Sequence, residues 1–206
     1  MRLFIGIDLD PELRTHIERF IEGVQGFAPD ARWMRPESLH VTLKFIGERP
    51  QEQIKALTQR LRLVESDSFE LRFTDYGFFP TSKAPRVFWI GIEADAHLAQ
   101  LAANIDAATS ELGIPREDRP YSPHLTLARA GAGRRSGAPK WREGDAPNAA
   151  FSVLEKRLTA MGELDLGRMT AREFILYQSE LSPRGSKYTK LQRFPLRYES
   201  PLDRQP

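Results

Sequence analysis

Two stretches far apart in the chain, Leu39-His40-Val41-Thr42-Leu43 and Pro123-His124-Leu125-Thr126-Leu127, repeat one pattern, and each opens a run of strand-forming residues. A chain carrying the same local signal twice is expected to fold as two related lobes, each sending one strand into a shared cleft. Side chains alternate along a strand, so His40 and Thr42 are expected on one face and Val41, Leu43 and Phe45 on the other. His124 and Thr126 follow the same rule against Leu125 and Leu127. Each strand would then anchor an apolar face in the core and hold out an imidazole beside a hydroxyl.

Hydrophobic periodicity places helices between such strands. In the first, Asp10 caps, Pro11 suits the first turn, and Leu13, Ile17, Phe20, Ile21 and Val24 recur at helical spacing. A second, over about Gln51 to Leu63, aligns Ile54, Leu57 and Leu61. A third, from about Ala96 to Leu112, aligns Leu98, Leu101, Ile105 and Ala108 before Gly113 stops it. A fourth is expected around Phe151 to Met161. The strand runs are Arg2 to Asp8, Leu39 to Phe45, Phe69 to Phe78, Val87 to Ile92, His124 to Ala128, Phe174 to Gln178 and Leu191 to Leu196. Strands often follow one another between helices, which favours α+β with mainly antiparallel sheets over a doubly wound parallel sheet. No interdomain linker is visible, so residues 1–206 are read as one domain of two intertwined lobes.

Two histidines on opposite sides of a phosphodiester are what hydrolysis or transesterification needs. One takes a proton from the attacking oxygen and the other gives one to the leaving oxygen, and imidazole does either near neutral pH. Threonine hydroxyls beside them can donate to the non-bridging oxygens, where charge builds up in the transition state. A single His-x-Thr-Leu is a weak signal, expected by chance in roughly one chain per hundred of this length. Two in one chain are not easily accidental. The other histidines, His16 and His97, have no patterned neighbourhood and read as ordinary helix residues.

A metal site is the rival use of paired histidines. Zinc catalysis normally wants three protein ligands, often as His-Glu-x-x-His on a helix, and that spacing is absent. Asp8 and Asp10 are possible ligands, but Asp10 already has a capping role. Neither a metal nor a cofactor is expected. There is no Gly-rich phosphate loop and no Gly-x-Ser-x-Gly elbow.

Cysteine is absent, which excludes disulfides, zinc-thiolate sites and thiol catalysis and makes a cytoplasmic address the expectation. No apolar run reaches membrane-spanning length, and the opening MRLFIGIDLD is too short in apolar residues for a secretory signal. The formal charge is only +2, so any polyanion must be met locally. One local candidate is Gly131 to Gly144, which carries Arg134, Arg135, Lys140 and Arg142 and reads as a solvated loop or, alternatively, an RNA-contacting one.

The two motifs resemble those of the two-histidine (2H) phosphoesterase superfamily. The surrounding sequence resembles its bacterial and archaeal branch, the RNA 2′,3′-cyclic phosphodiesterases also called 2′-5′ RNA ligases. The likeness covers RLFIGIDL at the start, RWMRPESLHVTLKFIGE around His40, PRVFWIGI, YSPHLTLAR around His124, and LYQSELSPRGSKYTKL near the end. It implies two pseudo-symmetric lobes, each an antiparallel sheet with outer helices, around a central cleft. It implies hydrolysis of RNA 2′,3′-cyclic phosphate ends to 2′-phosphates, His40 protonating the departing 3′ oxygen and His124 activating water, without metal. Thr42 and Thr126 carry over as phosphate binders. So does Arg129, although alternation puts it opposite His124 unless a bulge or the strand's end re-aims it. Tyr76, Phe78, Phe79 and Tyr188 are candidates to stack on a base, or core residues. RNA ends or 2′,3′-cyclic nucleotides are the expected partners of a monomer. End joining through a 2′-5′ linkage and a non-catalytic RNA-end binding module stand as alternatives.

Overall fold

The computed structural model describes residues 1–81, 85–131, 151–182 and 185–198. Nine strands and four α-helices follow in the order β1 (Arg2–Asp8), α1 (Pro11–Val24), β2 (Ala31–Trp33), β3 (His40–Glu48), α2 (Gln53–Leu61), β4 (Phe69–Phe79), β5 (Val87–Ala94), α3 (Ala96–Ser110), β6 (His124–Ala130), α4 (Ser152–Met161), β7 (Asp165–Ala171), β8 (Glu173–Ser182) and β9 (Gly185–Pro195) among the described residues. Two antiparallel sheets result, one ordered β3-β1-β8-β9 and the other β2-β6-β5-β4-β7. The class is therefore α+β, as the strand order along the chain implies.

The sheets exchange elements. Short β2, which lies before β3 in sequence, pairs with β6 in the second sheet, while β8 and β9 close the first sheet against β1. Helix α1 begins as its sequence predicts, the Asp10 carboxylate accepting from the Leu13 amide at 2.8 Å, and it buries Leu13, Ile17, Ile21 and Val24. It packs against β7, while α3 packs against β3 and α2.

Alternation in the sheets sets which side chains reach the core. On β1, Leu3, Ile5 and Ile7 are essentially fully buried in the main core, whereas Phe4 points the other way into a small cluster with Ile175, Tyr177 and Tyr188. On β5, Phe88, Ile90 and Ile92 face the core and leave Val87, Trp89 and Gly91 on the opposite side. These second faces, of β1 with β3 and of β5 with β6, meet where the two sheets approach. No described helix is long and apolar enough to cross a membrane.

Candidate active site

Strands β3 and β6 touch each other, and His40 and His124 are their first residues. Each histidine is held by the same device. The backbone carbonyl two residues earlier, of Ser38 or of Ser122, lies 2.8 Å from its Nδ1. A carbonyl only accepts, so Nδ1–H donates in both cases, and Nε2 is left as the nitrogen that gains or loses a proton. The serine is part of an echo longer than five residues: Arg35-Pro36-Glu37-Ser38-Leu39 precedes His40, and Arg119-Pro120-Tyr121-Ser122-Pro123 precedes His124. Extending the comparison of the two motifs backwards along the chain finds it.

Both strands break their alternation just after the motif. In β3 the ladder with β1 pairs Thr42 with Gly6 and then Lys44 with Ile5, leaving Leu43 unpaired; in β6 the ladder with β5 pairs Thr126 with Trp89 and then Ala128 with Phe88, leaving Leu127 unpaired. Each extra residue returns the next side chains to the wrong face for a simple strand. Phe45 therefore does not enter the core with Val41 and Leu43, as alternation predicts. It is 59% exposed and lines the cleft beside His40. Lys44 takes the core position instead, its ammonium bonded to the Asp106 carboxylate and to the Pro115 carbonyl at 2.8 Å. Burial works to raise the Asp106 pKa, but the hydrogen bonds from Lys44 and the Glu117 amide win and hold it below the usual carboxylate range. The matching bulge in β6 turns Arg129 into the cleft, to the place that Phe45 occupies in the other half.

The cleft has a volume of about 660 Å³ and is lined by His40, Thr42, His124, Thr126 and Arg129 together. Aromatic rings surround the imidazoles. Phe4 lies 4.6 Å from His40 and Tyr188 meets it edge-on at 5.0 Å, while Phe79 meets His124 edge-on at 5.0 Å and Trp89 lies at 6.3 Å. Gly77 makes that wall possible, because a Cβ there would stand 2.1 Å from the Trp89 ring. Burial pulls the His40 pKa from 6.5 down to about 4, with the positive charge of Arg129 and the proximity of His124 adding to the fall and the Ser38 carbonyl and Asp8 opposing it. Burial and Arg129 also lower His124, against the Ser122 carbonyl. Both rings are thus held more firmly in the neutral form than a free imidazole, His40 the more strongly.

Among the stacking candidates, Phe79 and Tyr188 stand at the histidines, whereas Phe78 is buried against Phe88 and Phe151, and the Tyr76 hydroxyl lies 3.2 Å from that of Thr159. His16 is exposed on α1, and His97 sits at the start of α3 with its Nδ1 2.9 Å from Asp95. Asp10 caps α1, and Asp8 pairs with Arg14 at 2.6 Å and with Lys190. No sequence signal singles out Tyr121. Its hydroxyl donates to the Thr42 carbonyl at 3.0 Å, tying the segment before His124 to the strand of His40. Of the basic stretch Gly131 to Gly144, all but Gly131 lies outside the described residues.

The family described as LigT like Phosphoesterase matches the chain twice, over residues 7–89 and 90–162, so the two halves of the fold are repeats. An RNA 2′,3′-cyclic phosphodiesterase of Archaeoglobus fulgidus is 31% identical over 94% of this chain and 99% of its own length. One from Thermus thermophilus is 34% identical over 97% of this chain and 92% of its own. Among solved structures, TT0787 of Thermus thermophilus is similar with a TM-score of 0.73 and 32% identity, covering 97% of this chain and all of that one. LigT of E. coli complexed with 3′-AMP is similar with a TM-score of 0.71 and 28% identity, covering 95% of this chain and 97% of that one.

Proposed function

The chain belongs to the LigT-like phosphoesterases and, within them, to the RNA 2′,3′-cyclic phosphodiesterases, and on that premise we propose that His40 and His124 open the cyclic phosphate at an RNA end by acid–base catalysis, leaving a 2′-phosphate. The observation that carries this reading is the duplicated geometry. Two imidazoles line one cleft, each with Nδ1 spent on a backbone carbonyl and Nε2 free. The E. coli relative has been crystallised with 3′-AMP, and the corresponding cleft here is offered for the end nucleotide of an RNA.

In the proposed step, water attacks phosphorus in line with the bond to the 3′ oxygen. His124 Nε2 takes the water proton as the new P–O bond forms, and His40 Nε2–H gives its proton to the 3′ oxygen as the P–O3′ bond breaks. The hydroxyls of Thr42 and Thr126 donate to the non-bridging oxygens, and Arg129 balances the charge that gathers on them. The step requires one proton on the pair, yet burial and Arg129 lower both imidazoles in the free protein. The phosphate brings a negative charge between the rings and favours the protonated form of each, so substrate loads the acid. No step of this scheme draws on a metal or cofactor.

The test uses two substrates. On a 2′,3′-cyclic nucleotide, His40→Ala and His124→Ala are each expected to lower kcat by about 10² to 10⁴. On an analogue with sulfur at the 3′ bridging position, the thiolate leaves without a proton, so His40→Ala recovers most of its activity and His124→Ala does not. Recovery by His124→Ala alone reverses the two roles. Full activity of either variant on the ordinary nucleotide would falsify the scheme. Phosphorus NMR of the product distinguishes a 2′-phosphate from a 3′-phosphate.

A further inference from the structure

Arginine in this protein is commonly a paired residue: Arg14, Arg72, Arg168, Arg193 and Arg197 each hold a carboxylate. Of the four arginines that line the cleft, Arg35 keeps the pattern, pairing with Glu37 at 3.6 Å, and the other three break it. Arg2, Arg32 and Arg129 are exposed, and among the described residues no carboxylate forms an ion pair with any of them. Arg32 and Arg129 are direct partners in the β2–β6 ladder, on the same face of neighbouring strands. Like charges placed opposite one another destabilise a strand pair unless something negative lies over them. β2 is moreover a three-residue edge strand with few contacts to spare for that cost. Arg2 opens β1 on the opposite wall, and although Glu48 stands across from it in the β1–β3 ladder the two form no ion pair.

A cyclic mononucleotide brings one phosphate, which the histidines, threonines and Arg129 already serve in the proposed hydrolysis. The remaining unpaired guanidiniums, Arg32 on one wall and Arg2 on the other, suit further phosphates at a distance from it. We propose that Arg32 and Arg2 bind phosphodiesters upstream of the end nucleotide, so that the cleft takes the end of an oligoribonucleotide in preference to a free mononucleotide. The proposal rests on the assignment of His40 and His124 as the reacting centre and adds a chain-length requirement to it. Contacts from arginine to phosphate carry no base identity, so the preference is for length rather than sequence.

Salt dependence measures this directly, because each phosphate of a single strand that a protein neutralises contributes about −0.7 to the slope of log affinity against log salt. The experiment compares kcat/KM for 2′,3′-cyclic AMP with that for an adenosine trinucleotide ending in a 2′,3′-cyclic phosphate, which has two internal phosphodiesters, between about 50 and 200 mM NaCl. At low salt the trinucleotide is expected to be favoured by about tenfold or more, with a slope steeper by about 1.4. Arg32→Gln is expected to lower kcat/KM for the trinucleotide about tenfold and flatten its slope by about 0.7. Arg2→Gln acts in the same direction, and both leave cyclic AMP unchanged. Parallel slopes on the wild-type protein overturn the proposal with no variant needed, as does a folded Arg32→Gln protein that loses as much on cyclic AMP as on the trinucleotide. A wild-type protein that opens neither substrate defeats the hydrolase reading as well, whereas one that opens both alike defeats only the chain-length requirement.

Discussion

Acidification should destabilise this protein through His40 by an amount that can be worked out. The folded state holds the ring at a pKa of about 4, against 6.5 for the free side chain, because it lies among Phe4, Tyr177 and Tyr188. As pH falls below 6.5 the unfolded chain binds this proton first, so stability fully present above 6.5 drains away down to about 4 and then levels off. Between pH 7 and pH 5 the loss attributable to this one ring is about 2 kcal/mol, and by pH 4 it is about 3 kcal/mol. Carboxylates across the protein also respond to acid, so the quantity to measure is a difference. Urea unfolding of the wild type and of His40→Gln is compared at pH 7 and pH 5, with m checked to be equal. The wild type should lose about 2 kcal/mol more than the variant over that interval. Equal losses in the two proteins would mean that the ring is not held neutral by burial, and the account of its proton affinity would fall.

Two further perturbations probe how the site is held. Tyr121→Phe removes only the hydroxyl that reaches the Thr42 carbonyl, and it is expected to cost about 1 kcal/mol of stability and about tenfold in kcat with KM little changed, since the histidines lose their shared anchor rather than their contacts with substrate; an unchanged kcat in steady-state assays at saturating substrate would show that the anchor does not set their geometry. Lys44→Ala leaves Asp106 in a partly buried site without its cation and should cost about 3 kcal/mol by urea unfolding, whereas Lys44→Met together with Asp106→Leu should cost much less, because a buried ion pair is replaced by apolar packing rather than broken. Equal costs for the two would contradict that reasoning.

Much of the site is legible in the sequence, and the part that is not shares one physical cause. His40, Thr42, His124 and Thr126 stand before the first irregularity of their strands, where period-two alternation holds, and the cleft brings all of them together. Phe45 and Arg129 stand after it, and for both the simple alternation points the wrong way. Nothing local marks the bulge. Alternation places Lys44 on the face of His40 and Thr42, and its burial on the other face becomes possible because Asp106, far along the chain on α3, supplies the opposite charge. Three strands or parts of strands escape the pattern for a related reason. β2 is too short for any periodicity, β7 contains Gly167 at φ +109°, and the first half of β9 is polar, so their pairing comes from neighbours rather than from their own residues.

The repetition recovers part of what one motif hides. Each half runs from a serine carbonyl through histidine and threonine to an unpaired leucine, after which the next exposed side chain swings into the cleft. Two halves that bulge at the same place under different sequences, Leu43-Lys44-Phe45 and Leu127-Ala128-Arg129, imply that the bulge serves the residues after it rather than those before it. The halves then diverge at the residue so delivered, an apolar ring on one side and a guanidinium on the other. A phosphate bridging two equivalent imidazoles has no reason to choose an orientation, but one flanked by Phe45 and Arg129 does. On the proposed mechanism these two positions, outside the motif itself, add to the asymmetry between the histidines, and exchanging the two side chains should disturb the proposed division of labour between His40 and His124 more than it disturbs the fold.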